Sequence, residues 1–380
     1  MTTTTIHGQS AEAKGADAQE MFAAAVQVIA DRHPELFATA EWVPPNAGGL
    51  PSVTLVGVVP PPVLAPLRGL PFDVAARSGA NANADQLRDL SVAVIHGVVD
   101  ATSSDRTVTS MIDSDTLGLR IEYGESSSLE DADGGAVTPK SSRAPEQVLA
   151  EVLRGLGVDE VPVPIQIKAP GRPDVATLEA TVRGGMGLTQ SAGGADVCTS
   201  GFAATRGTAT GVITADHCPN ALLYQGTAGV TGFTAESPQY SSVDFSYYYD
   251  VQFHTTQSGN TTSPSFRMTT SGPTTTVTGV SDPVTGEQVC HYGVVSGEKC
   301  GTVYATSMCI FFPSPARGTY CRLAATRTYI SAGGDSGGPW FSGGVAKGTH
   351  TGVATIDNVQ RSVFTAASAA NCLSATLMKG

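Results

Sequence analysis

The chain has 380 residues, and its charge is distributed unevenly along them. Residues 1–182 carry 12 Lys and Arg against 24 Asp and Glu, whereas residues 183–380 carry 10 of each kind. The acidic balance argues against a nucleic acid partner, and no run of about 18 apolar residues occurs that could span a membrane. The length predicts about two or three domains, and the change in composition predicts a boundary between residues 182 and 183.

The first half shows helix and strand patterns in turn. A helix start at 17–20 is followed by Met21, Phe22, Ala25 and Ile29 at the spacing of one helix face. Further strands are predicted at 52–59 and 117–123, and further helices at 83–98 and 145–156. The segment 124–144 is rich in Ser, Asp, Gly and Pro, which predicts a linker or mobile loop. The first half is therefore predicted to be a small α+β module.

The second half is rich in Gly, Thr and Ser, and its patterns predict an all-β domain that ends in a helix at 365–377. All seven cysteines lie here, which is typical of a protein outside the cell. Cys372 lies on the predicted helix and is expected to be a buried thiol. The chain contains no CxxC or HxxxH spacing, so we expect neither a metal site nor a cofactor.

A serine flanked by glycines is the most informative motif of the second half. It is Gly334-Asp335-Ser336-Gly337-Gly338-Pro339. A serine hydroxyl is a poor nucleophile at neutral pH, so it needs a histidine base and backbone N–H groups that stabilise the oxyanion. Gly334 can adopt backbone angles that residues with a Cβ disfavour. Such a turn would present the N–H groups of Gly334 and Ser336 to one point.

The order of residues along the chain distinguishes two enzyme classes that share a Gly-x-Ser-x-Gly pattern. An α/β-hydrolase has its acid and then its histidine after the serine, but here His350 precedes Asp357. Upstream, Thr214-Ala215-Asp216-His217-Cys218 supplies a histidine, and Asp244 follows it. The order His, Asp, Ser is that of chymotrypsin-like enzymes.

With these motifs, residues 183–380 resemble the bacterial chymotrypsin-like serine proteases, the group of alpha-lytic protease and the streptogrisins. The resemblance implies a double six-stranded β-barrel protease domain with a C-terminal helix, preceded by an α+β pro-region at 1–182. It also implies that Ser336 attacks the scissile carbonyl, that His217 transfers the proton, and that an aspartate orients His217.

Three aspartates compete for the role of the acid. Asp244 matches the family's pattern of Asp, any residue, a small residue and an aromatic, so we assign the role to Asp244. Asp216 adjoins His217 in the sequence and is poorly placed to reach the far ring nitrogen. Asp250 is the other rival.

The family also implies two disulfides, Cys198–Cys218 and Cys290–Cys300. A third pair, Cys309–Cys321, is our own inference, because the two cysteines flank a Pro/Gly turn as the arms of a hairpin would. Each bridge is expected to contribute about 2 to 4 kcal/mol.

The sequence departs from the family at two places near the serine. The cysteine that the family has before its nucleophile is missing from 330–333. His291 stands where the family has an Arg that pairs with the Asp before the nucleophile. We therefore expect His291 to pair with Asp335 and its pKa to be raised by that partner. Arg322 and Arg327 are alternative partners.

The substrate pocket is predicted by the resemblance to include Ile330 and Ser331 before the nucleophile and Thr351, Gly352 and Val353 after it. No Asp stands at its base to attract Lys or Arg, so we expect a preference for apolar or aromatic side chains.

The family further implies that the pro-region assists folding and inhibits the protease until it is cut off near 180–185. The alternative is a permanent binding domain. Residues 1–10 lack the basic and apolar stretches of a signal peptide. Since the cysteines favour export, we expect that a leader has been removed.

Taken together, the sequence predicts a secreted serine endopeptidase, monomeric and made as a proenzyme. It would hydrolyse protein or peptide substrates through a His217, Asp244 and Ser336 triad and an acyl-enzyme. The alternative is a catalytically inactive binding protein on the same fold.

Overall fold

The computed structural model of the protein shows a mixed α and β region before residue 184 and a β-rich region after it. It describes residues 1–8, 16–44, 49–102, 106–113, 117–125, 165–168, 184–189, 196–224, 234–235, 240–242, 245–256, 261–270, 273–312 and 318–380. Within these residues no helix is both long and apolar enough to cross a membrane.

The first half contains three α-helices and seven strands among its described residues. In chain order they are β1 (Thr2–Ile6), α1 (Ala16–Arg32), β2 (Phe37–Glu41), β3 (Ser52–Val56), a 3-10 helix (Pro61–Leu64), α2 (Ala65–Arg68), β4 (Val74–Ala80), α3 (Ala84–Thr102), β5 (Arg106–Ile112), β6 (Leu119–Glu125) and β7 (Ile165–Lys168).

Four of the elements predicted for this half are present in the structure. The helices expected from 17 and at 83–98 are α1 and α3, and the strands expected at 52–59 and 117–123 are β3 and β6. Phe22, Ala25 and Ile29 are buried as expected, but Met21 is exposed. The predicted helix at 145–156 and most of the predicted linker at 124–144 lie outside the described residues.

Strands make up most of the second half. They are β8 (Gly187–Thr189), β9 (Cys198–Thr199), β10 (Ala203–Arg206), β11 (Ala209–Thr214), β12 (Leu223–Tyr224), β13 (Thr234–Ala235), β14 (Tyr240–Ser242), β15 (Phe245–Tyr247), β16 (Gln252–Thr255), β17 (Ser265–Arg267), β18 (Thr274–Thr276), β19 (Gly279–Val280), β20 (Gln288–Gly293), β21 (Gly297–Phe312), β22 (Gly318–Thr326), β23 (Pro339–Ser342), β24 (Val345–Ile356), β25 (Val359–Ala366) and β26 (Thr376–Leu377).

The C-terminal helix predicted at 365–377 is shorter in the structure and is not an α-helix. Thr365 pairs with Leu323 as part of β25, and Leu377 pairs with Ala204 as part of β26. Because both ends are held by sheets, only the segment Ala367–Leu373 is helical, as a 3-10 helix. It ends at Ser374, whose left-handed backbone prevents further helix.

Two larger sheets contain most of the described strands of the second half. A five-stranded sheet has the order β13-β16-β11-β10-β26, and a larger sheet contains β20-β23-β24-β25-β22-β21. The mostly-β prediction is confirmed, whereas the closure of these sheets into two six-stranded barrels stays a prediction.

The two halves share a sheet and a core. β5 of the first half pairs antiparallel with β21, with Thr109 opposite Ile310, and β6 and β7 extend the same sheet. Leu87 and Val98 of α3 belong to one apolar cluster with Tyr247 and Phe253 of the second half. The strand order therefore continues across the predicted domain boundary.

A buried polar contact also joins the halves. Gln19 on α1 donates to the Gln288 carbonyl at 2.9 Å and accepts from the Gln288 N–H at 2.7 Å. Its amide also lies 3.3 Å from Glu287 Oε1, which is 2.5 Å from Lys347 Nζ. Burial raises the pKa of Glu287, and the Lys347 ammonium opposes that shift.

Candidate active site

His217 and Asp250 form the best-defined contact of the site. His217 follows β11, and Asp250 precedes β16, the strand that pairs with β11. His217 Nδ1 lies 3.0 Å from both carboxylate oxygens of Asp250, and the His217 backbone N–H donates to Oδ1 at 3.0 Å. Because an ionised carboxylate only accepts hydrogen bonds, Nδ1 carries the ring proton and Nε2 is the nitrogen that can take up another.

The structure places Asp250, one of the two rivals of Asp244, in contact with His217. Asp244 lies outside the described residues. Asp250 is fully buried, and its carboxylate accepts hydrogen bonds from both the backbone N–H and the ring Nδ1 of His217. The sequence offered a signal, because Asp250 is followed by an aromatic, Phe253, at the same spacing as in the family pattern. Gln252 stands where the pattern has a small residue, and this difference favoured Asp244 in the sequence analysis.

Gln252 has a structural reason to be large and polar. Its side-chain amide is buried and donates to the carbonyls of Ala215 at 2.8 Å and Cys218 at 3.0 Å. These two carbonyls lie on either side of His217. Gln252 therefore fixes the loop that carries the base, and sequence reasoning missed it.

The Ser336 turn is held by its own backbone and by β24. Gly337 N–H donates to the His350 carbonyl at 2.7 Å, and His350 N–H donates to the Gly338 carbonyl at 2.9 Å. Gly334 and Gly337 have φ of 104° and 82°. A Cβ on Gly337 would lie 2.0 Å from Thr214 Oγ1, so the turn needs glycine there for space as well as for backbone angles.

Thr199 in β9 connects the turn to the loop that carries His217. Its N–H donates to the Ser336 carbonyl at 2.5 Å, and its hydroxyl donates to the Gly334 carbonyl at 2.9 Å. Its own carbonyl accepts from the Thr214 hydroxyl at 2.9 Å. The base and the serine are thus positioned through one buried residue that the sequence analysis did not identify. Ser336 Oγ lies 3.4 Å from the Thr351 carbonyl.

Asp335 is held by backbone N–H groups. Oδ1 accepts from Val295 at 3.2 Å and Ser296 at 3.1 Å, and Oδ2 accepts from Ala332 at 2.7 Å. A Cβ on Gly293 would lie 2.0 Å from Asp335 Oδ1. The hairpin between β20 and β21 therefore leaves room for the carboxylate and supplies donors to it.

The prediction that His291 pairs with Asp335 and has a raised pKa is wrong. His291 Nε2 lies 3.0 Å from the Ile330 carbonyl, to which it donates. Burial lowers the pKa of His291, and the opposing charge of Asp335 does not overcome that effect. Arg322 does not take the role either, because its guanidinium donates to Ser368.

A stack of rings lies behind the Ser336 turn. His291 stacks on Trp340 with centroids 4.9 Å apart, and Trp340 stacks on Phe364 at 4.2 Å. Trp340 Nε1 donates to His350 Nδ1 at 3.4 Å, which places the His350 proton on Nε2. Burial, followed by the neighbouring His291 and His217, lowers the pKa of His350 well below its usual range.

The residues predicted to line the pocket meet at β25. The Ile330 N–H donates to Ser362 Oγ at 2.9 Å, and the Ser331 and Ser362 hydroxyls lie 2.7 Å apart. Thr351 Oγ1 lies 2.9 Å from Thr365 Oγ1. Gly352 and Val353 continue along β24, where both are buried.

All three predicted disulfides are present. They are Cys198–Cys218, Cys290–Cys300 and Cys309–Cys321. Cys372 is a half-buried free thiol. Glu298 lies near Cys290 and Cys300, but these two sulfurs are bonded to each other and are not metal ligands. The described residues offer no other cluster of metal ligands.

His254 gives a prediction about acid stability. Burial in β16 lowers the pKa of His254 to about 4, against about 6.5 in an unfolded chain. As the pH falls below 6.5 the unfolded chain binds the proton first, so the free energy of unfolding falls by about 3 kcal/mol by pH 4. Between pH 6.5 and pH 4, the free energy of unfolding of His254→Gln should fall by about 3 kcal/mol less than that of the parent. Guanidinium unfolding followed by tryptophan fluorescence measures both.

The control for this measurement is His7→Gln. The His7 side chain is 81% exposed, so its replacement should leave the acid loss of the parent unchanged. An equal acid loss in His254→Gln and the parent would show that His254 does not contribute.

Comparisons with known proteins agree with the family that the motifs indicated. No model of a known protein family matches the chain. Streptogrisin-C from Streptomyces griseus is 31% identical over 176 residues, which are 46% of this chain and 35% of that protein. Glutamyl endopeptidase 2 from Streptomyces griseus is 29% identical over 160 residues, which are 42% of this chain and 80% of that protein. The chain thus spans about a third of streptogrisin-C.

Solved structures are similar to about half of the chain. Thermobifida fusca protease A is 30% identical, with 53% of this chain and 100% of that chain covered and a TM-score of 0.42. Cellulomonas bogoriensis chymotrypsin is 26% identical, with the same shares covered and a TM-score of 0.42. Over the residues that the comparisons match, the chain is similar to bacterial serine proteases, the class that its motifs predicted.

Proposed function

We propose that the protein is a serine endopeptidase with Ser336, His217 and Asp250 as its triad. The contact of His217 Nδ1 with both oxygens of buried Asp250 carries this proposal, because it leaves Nε2 as the base. Two hydrogen bonds that Thr199 donates to the carbonyls of Ser336 and Gly334 support it, since they hold the Ser336 turn beside the His217 loop. The oxyanion would be bound by the N–H groups of Gly334 and Ser336.

The reaction follows from these roles. Ser336 Oγ attacks the scissile carbonyl while His217 Nε2 takes the hydroxyl proton, and Asp250 stabilises the imidazolium that forms. The proton then passes to the leaving amine, and an acyl-enzyme remains. Water, deprotonated by His217, hydrolyses the acyl-enzyme and restores Ser336.

The first test uses a fluorophosphonate probe on the purified chain. The parent and Ser78→Ala, a control outside the site, should be labelled, whereas Ser336→Ala should not. Asp250→Asn should slow labelling by roughly 10⁴-fold, because the wrong imidazole tautomer is then favoured. Asp244→Asn should react at a rate close to the parent.

Three outcomes would count against the proposal. A larger loss in Asp244→Asn than in Asp250→Asn would return the role of the acid to Asp244. Equal labelling of Ser336→Ala would exclude Ser336 as the nucleophile. No labelling of the parent, together with no self-cleavage near residue 183 in mass spectrometry, would favour the inactive binding protein.

The proposed substrates are proteins or peptides with an apolar or aromatic side chain before the scissile bond. That side chain would enter between Ile330 and Ser331 on one side and Thr351, Gly352 and Val353 on the other. An acidic side chain is the second candidate. The hydroxyls of Ser331 and Ser362 and the imidazole of His350 favour it, and one relative is named glutamyl endopeptidase 2.

Matched peptides with Phe, Glu or Arg at the cleaved position test the pocket. We expect the highest kcat/KM for Phe, because the walls carry no fixed negative charge. A higher value for Glu that His350→Phe abolishes would establish the second candidate. Strict cleavage after Arg would contradict both pocket assignments.

The first half is proposed to act as a pro-region that templates folding, inhibits the protease, and is cut off near 180–185. Pairing of β5 with β21 supports the template role, because β21 and β22 form the hairpin clamped by Cys309–Cys321. Sheets built from distant segments fold slowly, and a bound strand would order this hairpin early. We also propose export from the cell and a monomeric state.

Thr109→Pro tests the template role in the full chain. Proline in β5 removes an N–H and disfavours pairing opposite Ile310, so we expect a severalfold lower refolding yield after reduction and denaturation. Thr4→Pro in β1, at the edge of the separate four-stranded sheet, is the matched control. Equal yields for both variants would support the permanent binding domain instead. The yield is measured by near-UV circular dichroism.

A further inference from the structure

The residues that precede the catalytic aspartate contact the first half of the chain. We call residues 247–250, Tyr247-Tyr248-Tyr249-Asp250, the acid segment. Val251 N–H donates to the Tyr249 carbonyl at 2.8 Å, which closes a tight turn around Asp250. The direction of the Asp250 carboxylate is therefore set by the placement of Tyr249.

Arg88 on α3 binds the start of the acid segment. Its Nε donates to the Tyr247 hydroxyl at 3.1 Å, and its guanidinium lies 5.6 Å from the centroid of the Tyr247 ring. Asp85 holds the other arm of the guanidinium at 2.6 Å. The Arg88 side chain is only 15% exposed, so its hydrogen bond with Tyr247 is largely shielded from water.

The contact extends from Tyr247 to Asp250. Tyr247 and Tyr249 are buried and their rings lie 5.8 Å apart. Arg322 covers the Tyr249 ring at 5.2 Å. Burial raises the pKa of Tyr247, so the hydroxyl stays protonated and accepts from Arg88. A shift of Tyr247 would be transmitted to the turn that carries Asp250.

A second contact from α3 reaches the middle of the acid segment. His96 Nε2 lies 3.0 Å from Thr319 Oγ1 in β22. The Thr319 carbonyl accepts from Tyr248 N–H at 2.8 Å, and the Tyr248 carbonyl accepts from Cys321 N–H at 2.9 Å. Arg88 thus contacts the acid segment directly, and His96, two turns further along α3, contacts it through β22.

We propose that α3 of the first half positions Asp250, with Arg88 as the main positioning residue. The inference rests on the proposed triad and goes beyond the proposed folding and inhibitory roles of the first half. It implies that the intact chain already holds His217 and Asp250 in register before the first half is removed.

Charged and titratable groups from both halves surround the contact between Arg88 and Tyr247. On α3 they are Arg88, Asp85 and Asp89, and on the second half they are Tyr247, Tyr249 and Arg322. Tyr320 lies on the other side of Asp250, where burial and the charges of Asp250 and Asp216 raise its pKa. A variant that removes the Arg88 charge therefore leaves in place the titratable groups that lie closest to Asp250.

The test measures the His217 ring in a chain that cannot cleave itself. In the full chain with Ser336→Ala, ¹⁵N and ¹H NMR report the hydrogen-bonded Nδ1 proton and the pKa of His217. Adding Arg88→Met should broaden the Nδ1 proton signal and lower that pKa by roughly one unit, because the Asp250 carboxylate lies farther from the imidazolium on average. Arg88→Lys, which keeps a charged donor, should restore part of the shift.

Tyr247→Phe is the second variant, since it removes the hydroxyl and keeps the buried ring. It should cause a shift similar to Arg88→Met, and the double variant should add little to either. Arg32→Met, an exposed position at the end of α1, is the matched control and should change nothing. Near-UV circular dichroism verifies that each variant is folded.

Two results separate this inference from the proposed function. An unchanged Nδ1 signal and pKa in folded Arg88→Met and Tyr247→Phe would overturn the positioning role while the triad stands. Absence of a hydrogen-bonded Nδ1 proton in the parent, together with no fluorophosphonate labelling of the active chain, would overturn the triad and the inference with it. If Arg88→Met does not fold and Tyr247→Phe shows no shift, the inference is also wrong.

Discussion

The candidate site depends on Thr199, a buried residue of a two-residue strand. Its N–H and hydroxyl bind the carbonyls of Ser336 and Gly334, and its carbonyl accepts the hydroxyl of Thr214. The neighbouring Cys198 is bonded to Cys218, directly after His217. A buried polar group that loses its partner costs about 1 to 3 kcal/mol, so these contacts resist any displacement of the serine turn from the histidine loop.

The candidate groups that the sequence could single out are those whose chemistry is local. Ser336 lies in a turn that its own glycines define, and His217 follows a strand with a recognisable pattern. The family resemblance implied two of the three bridges that are present, and the hairpin pattern around Cys309 and Cys321 predicted the third. The order of the candidate His, Asp and Ser along the chain can be read from the sequence without knowing which residues are in contact.

The features that the sequence did not predict depend on distant contacts. Asp250 faces His217 because β16 pairs with β11, and Gln252 fits there because it binds the carbonyls beside His217. His291 lacks the expected ion pair because its burial disfavours the charged ring, while backbone N–H groups already satisfy Asp335. The end of the chain is not an α-helix because β10 and β22 hold both of its ends.

The buried contact between Gln19 and the second half has a geometric consequence. Successive residues of an α-helix are about 100° apart around its axis, so a shift of α1 by one residue would turn Gln19 away from Gln288. Glu287 would then lose the Gln19 amide, which lies 3.3 Å from its Oε1. Apolar packing tolerates several alignments, whereas this amide matches one. Gln19 therefore favours one alignment of α1 against the second half of the chain.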